Sequence, residues 1–258
     1  MKTLFKMTAM AVAVIATLFC LASCKKIKNE SKTPTVYAGG YVYNASGKLV
    51  ATVWKNGNAQ ALSDGTTHAY VSSVCVSGTD VYAGGITMND SGKAIATLWK
   101  NGTAQALSDG TTHAFVNSVF VSGKYVYAGG FVNNASGKAI ATVWKNGTAQ
   151  QLSDGTKSAA IYSVFVSGTD VYAGGFVNNA SGKAVATVWK NGTRLSLSDG
   201  TTSSYINSVF VSGKDVYAGG YVTNASEKDV ATLWKNGTAQ ALSDGTTDAY
   251  ALSVFVAK

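Results

Sequence analysis

The sequence predicts an all-β fold, a five-bladed β-propeller of four-stranded antiparallel blades, from three observations: a 45-residue repeat, short apolar runs rich in Val and aromatics, and a chain that enters and leaves the repeat at complementary points. Composition agrees with the class. With 46% hydrophobic and 13% charged residues, 28 Gly and 1 Pro in 258, the chain is too apolar to be disordered, and 3 Cys cannot staple a disulfide scaffold.

The repeat is read from two markers. Val-Tyr-Ala-Gly-Gly begins at Val36, Val81, Val126, Val171 and Val216, and the five tryptophans, Trp54, Trp99, Trp144, Trp189 and Trp234, keep the same spacing. The units are 36–80, 81–125, 126–170, 171–215 and 216–258. No helical periodicity occurs within a unit. In the third, the apolar runs predict strand one at 118–121, strand two at 125–132, strand three at 139–145 and strand four at 148–152. Residues 122–124 and Asn146-Gly147 read as tight turns, the second because Asn and Gly tolerate positive φ. Residues 133–138 and 153–162 are longer connections and are expected to share one rim.

The phase of the repeat predicts closure. The chain enters at strand two of the first unit and ends on a lone strand one at 253–256, which is expected to complete the N-terminal blade and remove its exposed edge.

Ahead of the repeats, Lys2 and Lys6 precede an apolar run from Met7 to Leu21, the build of a secretory signal over 1–23. The tetrapeptide Leu21-Ala22-Ser23-Cys24 resembles the bacterial lipobox. That resemblance implies cleavage before Cys24, acylation of its sulfur with palmitate-type chains, and anchorage in the membrane by this N-terminal lipid. Residues 24–35, with Lys25, Lys26, Lys28, Lys32 and Pro34, read as a lipidated tether. An outer-membrane lipoprotein of the bacterial envelope follows, expected to face the periplasm because the tether is basic. Residues 36–258 carry 15 basic and 12 acidic side chains with no basic stripe, so nucleic acid is not an expected partner.

The Gly-Gly pair ahead of an aromatic strand resembles the kelch repeat with altered spacing. The segments Ala-Thr-Val-Trp-Lys-Asn-Gly and Leu-Ser-Asp-Gly-Thr are similar to repeats of bacterial lipoproteins; the similarity covers 36–258, implies a propeller, and supplies no activity.

Within the repeat the tryptophans are expected to pack blade on blade, and Cys75 to fill as a small apolar group the place held by Phe120, Phe165, Phe210 and Phe255. Asp64, Asp109, Asp154, Asp199 and Asp244 precede Gly in turns, one carboxylate per blade, a poor cage for calcium. His68 and His113 occupy equivalent loop positions with no further ligand, so neither a metal nor a cofactor is expected. The single arginine, Arg194, and acids spaced by the repeat argue against a propeller hydrolase. The expectation is a monomeric, non-enzymatic, membrane-anchored binding protein. Its long-loop face, with Asn134, Ser136, Lys138, Thr111, Thr112, His113 and His68 as candidate ligands, would hold a polysaccharide in lectin-like fashion at repeated sites. The alternative is a scaffold for another envelope protein.

Overall fold

The computed structural model describes residues 34–257. The expected signal segment, Cys24 and the tether as far as residue 33 lie outside the described residues.

Among the described residues, nineteen strands form five antiparallel sheets. Sheet 1 has three strands, β1 (Tyr37–Tyr43), β2 (Leu49–Lys55) and β3 (Asn58–Ala61). Sheet 2 has four, β4 (Ala69–Ser77), β5 (Asp80–Met88), β6 (Ala94–Lys100) and β7 (Thr103–Ala106). Sheet 3 is β8 (Ala114–Ser122), β9 (Tyr125–Asn133), β10 (Ala139–Lys145) and β11 (Thr148–Gln151). Sheet 4 is β12 (Ala159–Ser167), β13 (Asp170–Asn178), β14 (Ala184–Lys190) and β15 (Thr193–Ser196). Sheet 5 is β16 (Ser204–Ser212), β17 (Asp215–Thr223), β18 (Asp229–Lys235) and β19 (Thr238–Ala241). Strands follow chain order within every sheet, the order of a propeller blade.

Local chemistry sets these elements. At the hairpins between third and fourth strands, Asn56, Asn101, Asn146, Asn191 and Asn236 sit at φ of 49° to 50° and are followed by glycines at 83° to 88°, the two left-handed residues a tight hairpin requires. First strands are longer than the sequence reading of 118–121, because β8 begins at Ala114. A β-bulge explains the difference: the register shifts between Val116 and Ser118, and likewise in sheets 2, 4 and 5, so alternation breaks inside the strand.

The Gly-Gly doublet has two separate steric causes. A Cβ on the first glycine, Gly84, Gly129 or Gly174, would run into Val or Ile side chains on the first strand of the next sheet. A Cβ on the second, Gly85, Gly130, Gly175 or Gly220, would run into the bulged first strand of its own sheet, at the carbonyls of Tyr70, Phe115, Ala160 and Tyr205. The doublet thus lets one sheet bulge and the next sheet approach.

Successive sheets are joined in the same way four times. Trp99, Trp144, Trp189 and Trp234 are buried, and each indole N–H donates to a carbonyl of the preceding unit, Leu62, Leu107, Leu152 and Leu197, at 2.9 to 3.2 Å. The expected packing role of these four therefore holds. Cys75 is buried beside Tyr82 in the cluster between sheets 2 and 3, as expected of a small apolar group. First strands pack on one another, whereas the fourth strands are exposed along their whole length, so the sheets fan outward from a spine of first strands.

The expected closure is corrected. Residues 250–257 form no strand, and sheet 1 keeps three strands, so the C-terminal segment does not complete the N-terminal blade and the stack is open. The segment is instead held against sheet 5. Ala251 N–H donates to Gly220 O at 3.1 Å, Val254 N–H to Ser208 Oγ at 3.1 Å, and Asn207 Nδ2 to Ala251 O at 3.1 Å. The last two repeat bonds between internal first strands, Val209 N–H to Ser163 Oγ at 3.0 Å and Asn117 Nδ2 to Ile161 O at 2.7 Å. The tail therefore occupies the place of the next first strand, with no sheet behind it among the described residues.

Candidate functional site

The two ends of the sheets differ in chemistry. At the short-turn end, Asp80, Asp170 and Asp215 are each engaged by the Lys and Asn of the facing hairpin; Lys100, Lys190 and Lys235 lie 2.8, 2.8 and 2.9 Å away. Each of these lysines also lies 5.4 Å from the centroid of a tyrosine ring, so this end is satisfied by its own groups.

At the opposite end the two long connections of a unit meet. Asn134 accounts for this: its Nδ2 donates to Gly155 O at 3.0 Å, and its Oδ1 accepts the backbone N–H groups of Ser136 and Lys138, both at 3.0 Å. Asn44, Asn89, Asn179 and Asn224 make the same cross-loop bond. Asn134 is thereby consumed in building the loop edge.

The other expected ligands divide by role. Lys138 Nζ donates to Thr156 O at 2.6 Å, and Ser136 is exposed beside it. Thr111 gives its backbone N–H and its hydroxyl to Asp109, an Asx-type turn, and Thr112 donates its hydroxyl to Asn133 O, which seats the connection between sheets 2 and 3 beside the 134–138 loop. His68 and His113 are half-buried: their Nδ1 atoms accept the backbone N–H of Leu49 and Ala94, both at 3.1 Å, leaving the proton on Nε2. Thr111, Thr112, His113, Asn134, Ser136 and Lys138 thus gather along one edge, while His68 belongs to the preceding junction. Among the described residues no cluster of three or more His, Cys, Asp or Glu could hold a metal ion.

A feature that sequence reasoning missed lies at the same end. The first residues of the first strands stand opposite the residues that follow the Gly-Gly doublet, and many are aromatic. Phe115 stacks on Phe131 at 4.8 Å, with His113 at 6.3 Å. Farther along, five rings continue from sheet to sheet: Tyr162 to Phe176 at 5.9 Å, Phe176 to Tyr205 at 5.0 Å, Tyr205 to Tyr221 at 5.0 Å and Tyr221 to Tyr250 at 4.9 Å. The signal was present in Tyr41, Ile86, Phe131, Phe176 and Tyr221, which follow the doublet in every unit.

The last unit adds acids to this row. Asp229 Oδ1 accepts the Thr223 hydroxyl at 2.7 Å, and its backbone N–H donates to Asp248 Oδ1 at 3.0 Å. The Lys228 ammonium lies 3.8 Å from Asp248. Burial pushes the hydroxyls of Tyr162, Tyr205 and Tyr221 above the usual phenol range, with the charge of Asp229 adding at the last two. Tyr250 moves the same way, first through its hydrogen bond to Asp229. Other units have Leu49, Ala94, Ala139 or Ala184 where this one has Asp229, so the cluster breaks the repeat symmetry.

No family model and no curated protein matches the chain. Among solved structures it is similar to the catalytic domain of a GH62 α-L-arabinofuranosidase from Coprinopsis cinerea, with a TM-score of 0.39 and 11% identity over 72% of each chain. The expectation of a non-enzymatic protein is withdrawn, since the similar structure is itself a catalytic domain; at that score and identity the likeness does not extend to an activity, residues or substrate of this chain.

Proposed function

We propose that the long-loop edge binds a glycan chain laid along the aromatic row, at the envelope position suggested by the Leu21-Ala22-Ser23-Cys24 tetrapeptide and the basic tether. The observation that carries the reading is the run from Tyr162 to Tyr250, five rings with successive centroids 4.9 to 5.9 Å apart. Sugar rings present apolar C–H faces and a rim of hydroxyls. Stacked aromatic surface takes the first, and carboxylates and loop hydroxyls take the second. Asp229 and Asp248 stand at one end of the row, and Ser136, Lys138 and Thr111 supply polar groups along the edge.

This reading replaces five equivalent sites on a closed ring with one extended, asymmetric site. Affinity electrophoresis against a panel of soluble neutral polysaccharides tests it. At least one should retard the wild-type chain, and Tyr205→Ala should weaken that retardation about tenfold, roughly 1.4 kcal/mol. Tyr125→Ala, at the short-turn end, should leave it unchanged. Indifference of the wild-type chain to every polysaccharide, or equal retardation of Tyr205→Ala, would overturn the reading.

A further inference from the structure

Both ends of the stack present halves of the interface used inside it. At one end, β1 has no first strand beside it, and Val36, Tyr41, Val42 and Tyr43 are exposed. At the other, the tail lies against sheet 5 with Leu252 and Phe255 exposed. We infer that these halves belong together in two molecules: residues 249–257 of one copy supply the missing first strand of sheet 1 in a second copy, joining chains head to tail.

Three features match a first strand for sheet 1 that the described residues of its own chain do not provide. Gly40 corresponds to Gly85, Gly130, Gly175 and Gly220, where the bulged first strand leaves no room for a Cβ. At Gly40 the only neighbour of such a Cβ among the described residues is the Trp54 ring, at 3.3 Å. A glycine is retained where nothing among the described residues of its own chain requires one.

Trp54 is the second feature. Its four counterparts are buried and bonded to a leucine carbonyl of the preceding unit, whereas Trp54 is half-buried, with no unit before it among the described residues. The corresponding leucine is Leu242, which is 54% exposed on the open face of sheet 5. Beside it, Tyr217 and Leu233 are half-buried, although their counterparts Tyr172 and Val188 are buried.

Register is the third. Ala114 stands opposite Val132, Ala159 opposite Val177 and Ser204 opposite Val222, which sets Ala249 opposite Val42 and the tail's bulge against Gly40. A second copy meets both ends as they stand, through the junction already formed four times within the chain. The chain's own tail is not paired with sheet 1, which keeps three strands. The contact is heterologous: two different surfaces meet, so each copy keeps one free end.

Disulfide trapping tests this in the full chain, with wild type as the control for Cys20, Cys24 and Cys75. Directly opposed residues in an antiparallel pair bring their Cα atoms within disulfide reach. Val42→Cys and Ala249→Cys, made separately and mixed under mild oxidation, should give a covalent dimer on a non-reducing gel, while neither variant alone exceeds the wild-type level. Adding Gly40→Ala to the Val42→Cys chain should abolish the dimer without changing its thermal unfolding. The inference is overturned if the mixture gives no dimer, if the double variant V42C/A249C links only within one chain, or if Gly40→Ala leaves linking intact.

Discussion

Sheet 1 and sheet 3 are built from nearly the same words, Val-Tyr-Ala-Gly-Gly and Ala-Thr-Val-Trp-Lys-Asn-Gly, yet they live in different environments. In sheet 3 the tryptophan is buried, its indole N–H is bonded across to Leu107, and the second glycine is wedged under the first strand. In sheet 1 the tryptophan is half-buried and the second glycine faces only that ring. The difference teaches that a repeat residue acquires its role from its neighbouring unit. Stability in such a stack is local to each junction, and identical substitutions made in the two sheets separate intrinsic from interfacial effects.

The largest contrast is expected at the tryptophans. Trp144→Ala empties a fully buried site and should cost about 3–5 kcal/mol, whereas Trp54→Ala should cost less than half as much. Hydrogen exchange resolved by sheet is the readout, because a stack of repeats need not unfold in one step. Equal losses at the two sites would mean that Trp54 is as enclosed as Trp144. Next come the glycines. Gly130→Ala drives a Cβ into the Phe115 carbonyl and should cost about 1–3 kcal/mol or more, while Gly40→Ala should be nearly neutral. Thermal unfolding of the pair checks this.

Much of the fold was legible in the sequence because the repeat states each turn five times. The Asn-Gly hairpins, the three outer strands of each unit and the blade order follow from turn chemistry and alternation alone. The first strand was misread because its bulge, between Val116 and Ser118, interrupts the alternation by which strands are recognised. Closure was misjudged for another reason. The phase of the repeat supplies a strand for the vacant place, but the angle between sheets depends on how closely side chains such as Ile161 and Val164 sit on Gly129, and that contact, though repeated at every junction, states no angle in the sequence. The loop edge was anticipated, although Asn134 and the two histidines proved to be its framework. The aromatic row went unread because its members lie on different strands and meet only through register within a sheet and packing between sheets.

The repeat also contains one left-handed position that its units fill with different residues. Glu227 sits at φ +57°, where the other units place Gly47, Gly92, Gly137 and Gly182 at φ of 71° to 81°. A side chain in that left-handed region costs roughly 1–2 kcal/mol. Glu227→Gly should therefore stabilise sheet 5 by about 1 kcal/mol, seen as slower exchange in β17 and β18. Gly137→Glu should destabilise sheet 3 by a similar amount. If the first substitution has no effect, the left-handed residue is not strained.

The smallest effects belong to the turn aspartates. Asp64, Asp109, Asp199 and Asp244 accept a backbone N–H from the threonine two residues on, then its hydroxyl; at Asp154 the Thr156 hydroxyl is the stronger influence. All five carboxyls are held below the usual range. Hydrogen bonds to the ionised form contribute stability above the unfolded-state pKa, near 4, and that stability is lost as pH falls through the lower folded values. Melting temperature should therefore be flat above about pH 5 and fall below pH 4, with Asp154→Asn reducing the slope. The short-turn acids Asp80, Asp170 and Asp215 shift in the same direction, the first two chiefly through their lysines and Asp215 chiefly through Asn236. Sheet 1 has Thr35 and sheet 3 has Tyr125 at that place, so acid should loosen the short-turn ends of sheets 2, 4 and 5 ahead of the other two. Uniform loss across all five sheets would assign the acid response to the turn aspartates alone.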